Sequence, residues 1–459
     1  MLKLRKLLDK ARSDEGMSLV EVIVALTVFA VIALGVGYST ITILKMTEDT
    51  RSRQVATNLA TSEIDKARGY DDPFDIVNGT STTTVGKRTY TIVRSTSWVE
   101  TSGADVGCGT GTGTLQSKRV NVTVTWDGML NTTPAVRSDT LISPDERIND
   151  PSLGTIRISV LNALGTGSSG VAVTITPNGS GVALTKQPDA TNTDGCSFAL
   201  KVAPGTYSVA ISRANSVDSD QVANPSKSVV VTAGSSVAAP FQYDYASTFT
   251  LNYASNVTSS PKLPEDLDTT YLSTYGLDYS TGRASQVALH PISSGYAGMA
   301  GKYVAATSGS GGCLSVDPAA WRAATVNSVP LAAGERTDPV AALPKGTATM
   351  DIPMGTATVK HTTSAYLFAV SATAPAAAAD PGCSISTTYS FGKVLTNGTI
   401  TVALPYGSWI LYSGSQASGS GKTAIAPANV GLIGSVLNLV GSILPGAGSV
   451  ITLDPRAKK

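Results

Sequence analysis

Histidine is almost missing from this chain. His290 and His361 are the two in 459 residues, and neither sits near a cysteine or a paired acid in a recognisable spacing. Imidazole is the usual general base and metal ligand near neutral pH, so its scarcity removes most hydrolase and zinc-enzyme templates. No G-x-S-x-G nucleophile elbow occurs either. Four cysteines, Cys108, Cys196, Cys313 and Cys383, lie far apart with no C-x-x-C pair, which excludes the common zinc sites. Only 15% of residues are charged, and the formal net charge is +1. Such a balance supplies no general field for nucleic acid or an anionic surface. No enzymatic activity, cofactor or metal is expected.

What the chain does have is one long apolar run near its start and, beyond it, Thr, Ser, Val, Ala and Gly in short alternating stretches. Those stretches, punctuated by Gly, Pro and Asp-Gly, read as strands joined by turns. The length favours roughly two to four domains.

Residues 1–16 carry Lys3, Arg5, Lys6, Lys10 and Arg12 against three acids, Asp9, Asp14 and Glu15. A basic end before an apolar run keeps to the cytoplasmic side. From Leu19 to Tyr38 the only charge is Glu21, and about 20 apolar residues span a bilayer as a helix. A plain single-pass anchor and a secretory signal peptide are the simplest readings. The run is long for a signal peptide and no A-x-A-like site follows it. A plain anchor leaves Glu21 unexplained, because a carboxylate in lipid costs about 3 kcal/mol.

The string Gly16-Met17-Ser18-Leu19-Val20-Glu21, followed by that apolar run, resembles the class III signal of type IV prepilins and type II secretion pseudopilins. The resemblance implies cleavage after Gly16 by a prepilin peptidase, N-methylation of Met17, and Glu21 as the fifth mature residue. It also implies that Glu21 meets the N-terminal amine of a neighbouring subunit. A broken buried pair costs about 3 to 5 kcal/mol, so this pairing would favour one register of addition.

The helix is expected to continue past the membrane to Arg68, with Ile41, Leu44, Val55, Leu59 and Ile64 as its apolar positions. Lys66 and Arg68 suit a last turn, Gly69 is the stop, and Pro73 follows. From Met17 to Arg68 it would measure about 80 Å, with Gly35 and Gly37 as flex points. Runs 87–98, 117–128 and 138–143 read as a small antiparallel sheet, the pilin-like head over 70–152. Lys87, Arg88, Lys118 and Arg119 fall on these strands. A solvated strand face is preferred over a DNA-binding patch.

After a linker at 144–154, residues 153–245 resemble a transthyretin-like or carboxypeptidase-regulatory-like sandwich. Residues 194–209 and 397–411 echo each other, as do 170–177 and 354–362. A second sandwich is therefore expected from about 347, with 246–346 as a loop-rich β region packed on it. Export makes disulfides the default. Four cysteines allow three pairings; Cys313 with Cys383 is favoured, each following a glycine, with Cys108 and Cys196 paired or free.

Two strings are set aside. ASGSGKT (417–423) lacks the glycine that a phosphate loop needs at Gln416, and Pro427 blocks the helix that should follow. LPGAG (444–448) has no membrane span behind it.

The expectation is an α+β pilin-like N-terminal part, a long helix plus a small antiparallel sheet, followed by all-β sandwich modules. The resemblance implies a minor pilin or pseudopilin of low copy number at a filament tip or initiation complex. The partners it implies are the peptidase, other pilin or pseudopilin subunits, an inner-membrane assembly platform and the membrane itself. The precursor would sit in the cytoplasmic membrane, N-terminus inside, and then move to an extracellular pilus or pseudopilus. A tip adhesin binding a surface or glycan through 153–459, and a plain membrane-tethered surface protein, are the alternatives.

Overall fold

The computed structural model describes residues 18–129, 133–144, 150–309, 311–326, 329–361, 365–373, 380–394, 398–433 and 450–456. One long N-terminal helix is followed by strands arranged in sheets, mostly antiparallel. The chain divides into two compact units: residues 1–107 with 113–148, and residues 108–112 with 149–459.

The first unit holds helix α1 (Leu19–Arg68) and strands β1 (Gly79–Val85), β2 (Arg88–Glu100), β3 (Asp105–Val106), β4 (Leu115–Trp126) and β5 (Val136–Ile142). The strand order is β1-β2-β4-β5, with β3 paired to β2. Only the last third of the helix is packed, through Ser52, Ala56, Ala60, Ile64 and Ala67. Three of these recur every four residues and are small, so one narrow stripe faces the sheet and the backbone can approach closely. The bulk comes from the strands: Tyr90, Ile92, Val120, Val122, Val124, Trp126 and Val136 fill the interface.

This differs from the expected apolar positions. Ile41 and Leu44 are exposed, Val55 and Leu59 are half-buried, and of that set only Ile64 is fully buried. The sheet carries the large residues, so the helix face opposite it must be small. Gly69 ends the helix with right-handed backbone at φ −83°, its N–H donating to the Asp65 and Lys66 carbonyls at 3.1 Å. The left-handed cap usual for glycine is not used.

Strand β1 was not foreseen. Its sequence, GTSTTTV, has no apolar alternation, and it is almost wholly exposed on both faces. Pairing with β2 and the turn at Gly86, φ +66°, hold it in place; a positive φ at the first of two turn residues suits a type II′ hairpin.

The second unit begins with a sandwich of β6 (Gly154–Leu161), β7 (Ala172–Pro177), β8 (Cys196–Val202), β9 (Gly205–Ser212), β10 (Ser216–Asp218), β11 (Ser226–Val231) and β12 (Ser236–Tyr245). Sheets β10-β12-β6-β8 and β11-β9-β7 enclose Ile156, Ile158, Val173, Tyr207, Val209, Phe241 and Tyr243. Strands β6 and β12 pair in parallel.

The remainder contains β13 (Ser247–Tyr253), β14 (Thr269–Ser273), β15 (Gly276–Ser280), β16 (Gln286–Leu289), β17 (Ala297–Ala300), β18 (Ala324–Val326), β19 (Val329–Leu331) and β20 (Thr347–Ile352). It continues with β21 (Gly355–His361), β22 (Tyr366–Ser371), β23 (Thr388–Lys393), β24 (Gly398–Leu404), β25 (Gly407–Gly414), β26 (Thr423–Ala424), β27 (Val430–Ile433) and β28 (Val450–Leu453). Phe249, Tyr271, Trp321, Met350, Phe391 and Trp409 share one core. Residues from both sides of position 347 therefore fill a single interior.

The internal echo holds in part. Both β8–β9 and β24–β25 are consecutive strands that belong to different sheets, and each second strand opens on a positive-φ glycine, Gly205 and Gly407. The upstream match fails: β7 pairs with β9, whereas β21 pairs with β24 and β27. The strand-turn-strand order is shared; strand pairing is not.

Candidate assembly helix and exposed surface

The amino-terminal part of α1 is bare. Large side chains from Leu19, at 77% exposure, to Met46, at 60%, face outward all round the helix, and none of the described residues before Ser52 is buried. That stretch measures about 50 Å. Its apolar window has a mean hydropathy of 2.7, long and apolar enough to cross a membrane. The serine and threonine hydroxyls within it are satisfied by the helix itself. Ser39 donates to the Gly35 carbonyl, Thr40 to Val36, Thr42 to Tyr38 and Thr47 to Ile43, at 2.8–2.9 Å. Such back-bonding hides polar groups from an apolar medium. Nothing lies within 4 Å of a Cβ built on Gly35 or Gly37.

Glu21 is exposed in the first turn of α1 and forms no ion pair among the described residues. Its own N–H donates to the Ser18 carbonyl at 2.9 Å. Gly16 and Met17 lie outside the described residues. An acid near the positive end of a helix dipole is favourably placed, yet in lipid it still wants a cation.

Where the helix meets the sheet, polar groups lock it. Glu63 Oε1 lies 3.0 Å from Arg94 Nη1, with both side chains at 12% exposure. Arg94 Nε also donates to the Val77 carbonyl at 2.8 Å, and its guanidinium stacks on Tyr70 at 5.9 Å.

The four basic residues on the head do not form a free patch. Arg88 pairs with Glu48 at 3.0 Å and Arg119 with Asp105 at 2.8 Å, while Lys118 is buried over the Trp98 ring at 5.0 Å. Lys87 is an exposed turn residue.

Sulfur atoms of Cys313 and Cys383 are bonded, as are those of Cys108 and Cys196. Cys313 and Cys383 sit among Met299 and Val316 in a small cluster. ASGSGKT is a turn leading from β25 into β26, and among the described residues only a three-residue 3-10 turn, Pro427–Asn429, and no α-helix, follows it. LPGAG lies outside the described residues.

His290 is fully buried. Its Nδ1 contacts the Val217 carbonyl at 3.0 Å, its backbone N–H donates to Gln221 Oε1, and Nε2 has no hydrogen-bond partner among the described residues. Burial lowers its pKa, against the opposing pull of Asp244 and Asp218. An imidazole so enclosed serves packing. His361 lies on β21 and is half-buried.

An apolar stripe on the surface of the second unit lies on the β14–β15 hairpin. Tyr275, Leu277 and Tyr279 alternate along it at 51%, 46% and 49% exposure, and Lys302 Nζ lies 4.3 Å from the Tyr279 ring centre. The alternation in the sequence (YGLDY) carried this signal.

Residues 11–37 match the prokaryotic N-terminal methylation motif. The chain is thus pilin-like at its amino terminus. A prepilin signal of this kind implies processing by a peptidase and assembly with other pilin subunits. Comparison with curated proteins returns no match. Among solved structures, the Bacillus anthracis TIE protein aligns at 12% identity over 74% of this chain and 68% of that one, with a TM-score of 0.19. A streptococcal ancillary pilin aligns at 8% identity over 51% and 75%, TM-score 0.17. A variant of BcpA, the major pilin subunit of Bacillus cereus, aligns at 10% over 66% and 95%, TM-score 0.18. At such TM-scores these overlaps carry no argument about the present chain.

Proposed function

We propose that the protein is a minor pilin or pseudopilin. It is inserted as a single-pass precursor, cleaved after Gly16 and methylated on Met17. It then assembles through α1 into a type IV pilus-like filament. The observation that carries this reading is the long exposed apolar helix segment behind the methylation motif, headed by Glu21, which has no ion pair among the described residues. In a filament, neighbouring helices would cover that segment and a neighbour's terminal amine would neutralise the acid, about one helical turn from its own Met17.

The bulk that follows the helix argues for low copy number. More than 300 residues follow position 148, too much to repeat beside every helix of a close-packed filament, so a tip or initiating position fits. No catalytic role is proposed.

Mass spectrometry of the mature amino terminus, in cells with and without prepilin peptidase, tests the reading. An N-methylated Met17 that depends on the peptidase is expected. An intact leader in both strains would instead make the chain a plain membrane-tethered surface protein.

The exposed Tyr275-Leu277-Tyr279 stripe favours a second, compatible role as an adhesin. Half-exposed tyrosines offer flat apolar area with a polar tip at little entropy cost. Tyr275→Ala with Tyr279→Ala should then reduce surface or glycan attachment of intact cells while filament incorporation is unchanged.

A further inference from the structure

Residues 108–112 leave the hairpin between β3 and β4 and belong to the second unit. Arg157, buried on β6, donates to the Gly111 carbonyl, and the Ser236 N–H on β12 donates to the Thr112 carbonyl at 3.2 Å. A Cβ on Gly109 would lie 3.0 Å from the Ser159 side chain, so the loop is fitted closely to β6. Cys108 is buried, and its bond to Cys196 at the start of β8 spans a sequence separation of 88.

That bond closes a covalent ring. The ring contains β4, β5, β6 and β7, and also the only main-chain connection from the first unit into residues 149–459 by way of position 148. Two covalent routes therefore lead from α1 to β8. The peptide route runs through every residue from 109 to 195, and the sulfur route bypasses them all.

We propose that the Cys108–Cys196 bond is a tension strap. A pull between the amino-terminal helix and the carboxy-terminal region is carried through the bridge, and residues 109–195 carry none of it. Two of the four strands shielded in this way are central: β4 lies between β2 and β5 and packs on α1, and β6 lies between β12 and β8. Pulled from its end, an antiparallel pair opens one rung at a time, because its hydrogen bonds run across the strands. Keeping β4 and β6 out of the force line leaves one strand of each pair unloaded, while β2, β8 and β12 remain on it. The value of the strap to the cell rests on the helix being the tether, as proposed above; amino-terminal mass spectrometry tests the tether, and the pulling experiment tests the strap.

The experiment is single-molecule force spectroscopy of the full chain in detergent, held by tags at both termini. The oxidised protein should unfold to a contour about 300 Å shorter than the Cys108→Ala, Cys196→Ala double variant, from 88 residue steps at about 3.5 Å each. Should that variant fail to fold, the wild type supplies the same comparison when reduced with dithiothreitol between pulls. It should then lengthen by about 300 Å, and separately by about 240 Å for the Cys313–Cys383 ring, whose separation is 70. A further arm inserts about 20 Gly/Ser residues between positions 144 and 150. The inserted contour, about 70 Å, should be invisible in the oxidised chain and appear on reduction. Equal contours with and without the bond, or an insertion visible under oxidising conditions, would overturn the proposal.

Discussion

Removing the Arg94 guanidinium should loosen the helix from its sheet by an amount that can be worked out beforehand. At 3.0 Å from Glu63, the pair interacts by about 5 kcal/mol at an effective dielectric of 20. Desolvation of both groups offsets much of this. Deleting one partner of a buried pair costs about 3 to 5 kcal/mol, and the slight exposure here favours the lower end. Glu63→Ala should therefore cost about 3 kcal/mol. Arg94→Ala should cost about 4, since it also loses the Val77 hydrogen bond and the Tyr70 stack. Lys66 also reaches Glu63, at 3.3 Å, but at 67% exposure it adds little.

The double variant should be milder than the sum by about 2 kcal/mol, because removing Glu63 relieves the acid orphaned by Arg94→Ala. Hydrogen exchange with mass spectrometry on the full chain in micelles reads this directly. Peptides covering 52–68 and 88–100 should exchange about 100-fold faster in Glu63→Ala and roughly 1000-fold faster in Arg94→Ala, at about 1.4 kcal/mol per tenfold. Acceleration below about threefold in both, or strict additivity in the double, would refute the assignment of this pair as the lock.

Ala60 faces the sheet with 1% exposure, so Ala60→Leu should overpack that interface and cost about 1 to 3 kcal/mol, seen as lost protection in the same peptides. Glu21→Ala should leave peptidase cleavage intact and reduce incorporation into sheared filaments, measured by immunoblot; unchanged incorporation would remove its docking role. Burial holds the His290 pKa below the ordinary 6.5, so the unfolded chain takes up a proton first as pH falls. The stability that neutral His290 contributes is fully present above about 6.5 and declines as pH drops toward its folded pKa. Calorimetry of the full chain should show the melting temperature falling more between pH 7.5 and 5.5 than in His290→Gln; parallel curves would contradict this.

Some parts of the molecule were legible because their signal is local. Glycine, four residues, a glutamate and an apolar run stand within one short string, and no distant contact changes their meaning. The packed end of the helix was less legible. Its apolar residues suggested Ile41 and Leu44, yet the buried stripe is Ser52, Ala56 and Ala60, whose small size is informative only once Trp126 and Tyr90 are known to face it. Strand β1 escaped notice because hydroxyl side chains exposed on both faces leave no alternation to detect. The echo between 194–209 and 397–411 was visible, but which strand each segment pairs with was not, since pairing partners come from far along the chain.

By itself the sequence determined the amino-terminal signal, the length and apolarity of the helix, and a β-rich remainder, all of which follow from neighbours within a few residues. It favoured Cys313 with Cys383 but left Cys108 and Cys196 paired or free, and could not show that residues 108–112 belong to the second unit. Those were decided by tertiary structure, because a bond between Cys108 and Cys196 depends on two Cα atoms separated by 88 positions meeting at 5.7 Å. No local pattern encodes that distance; packing of the intervening strands does.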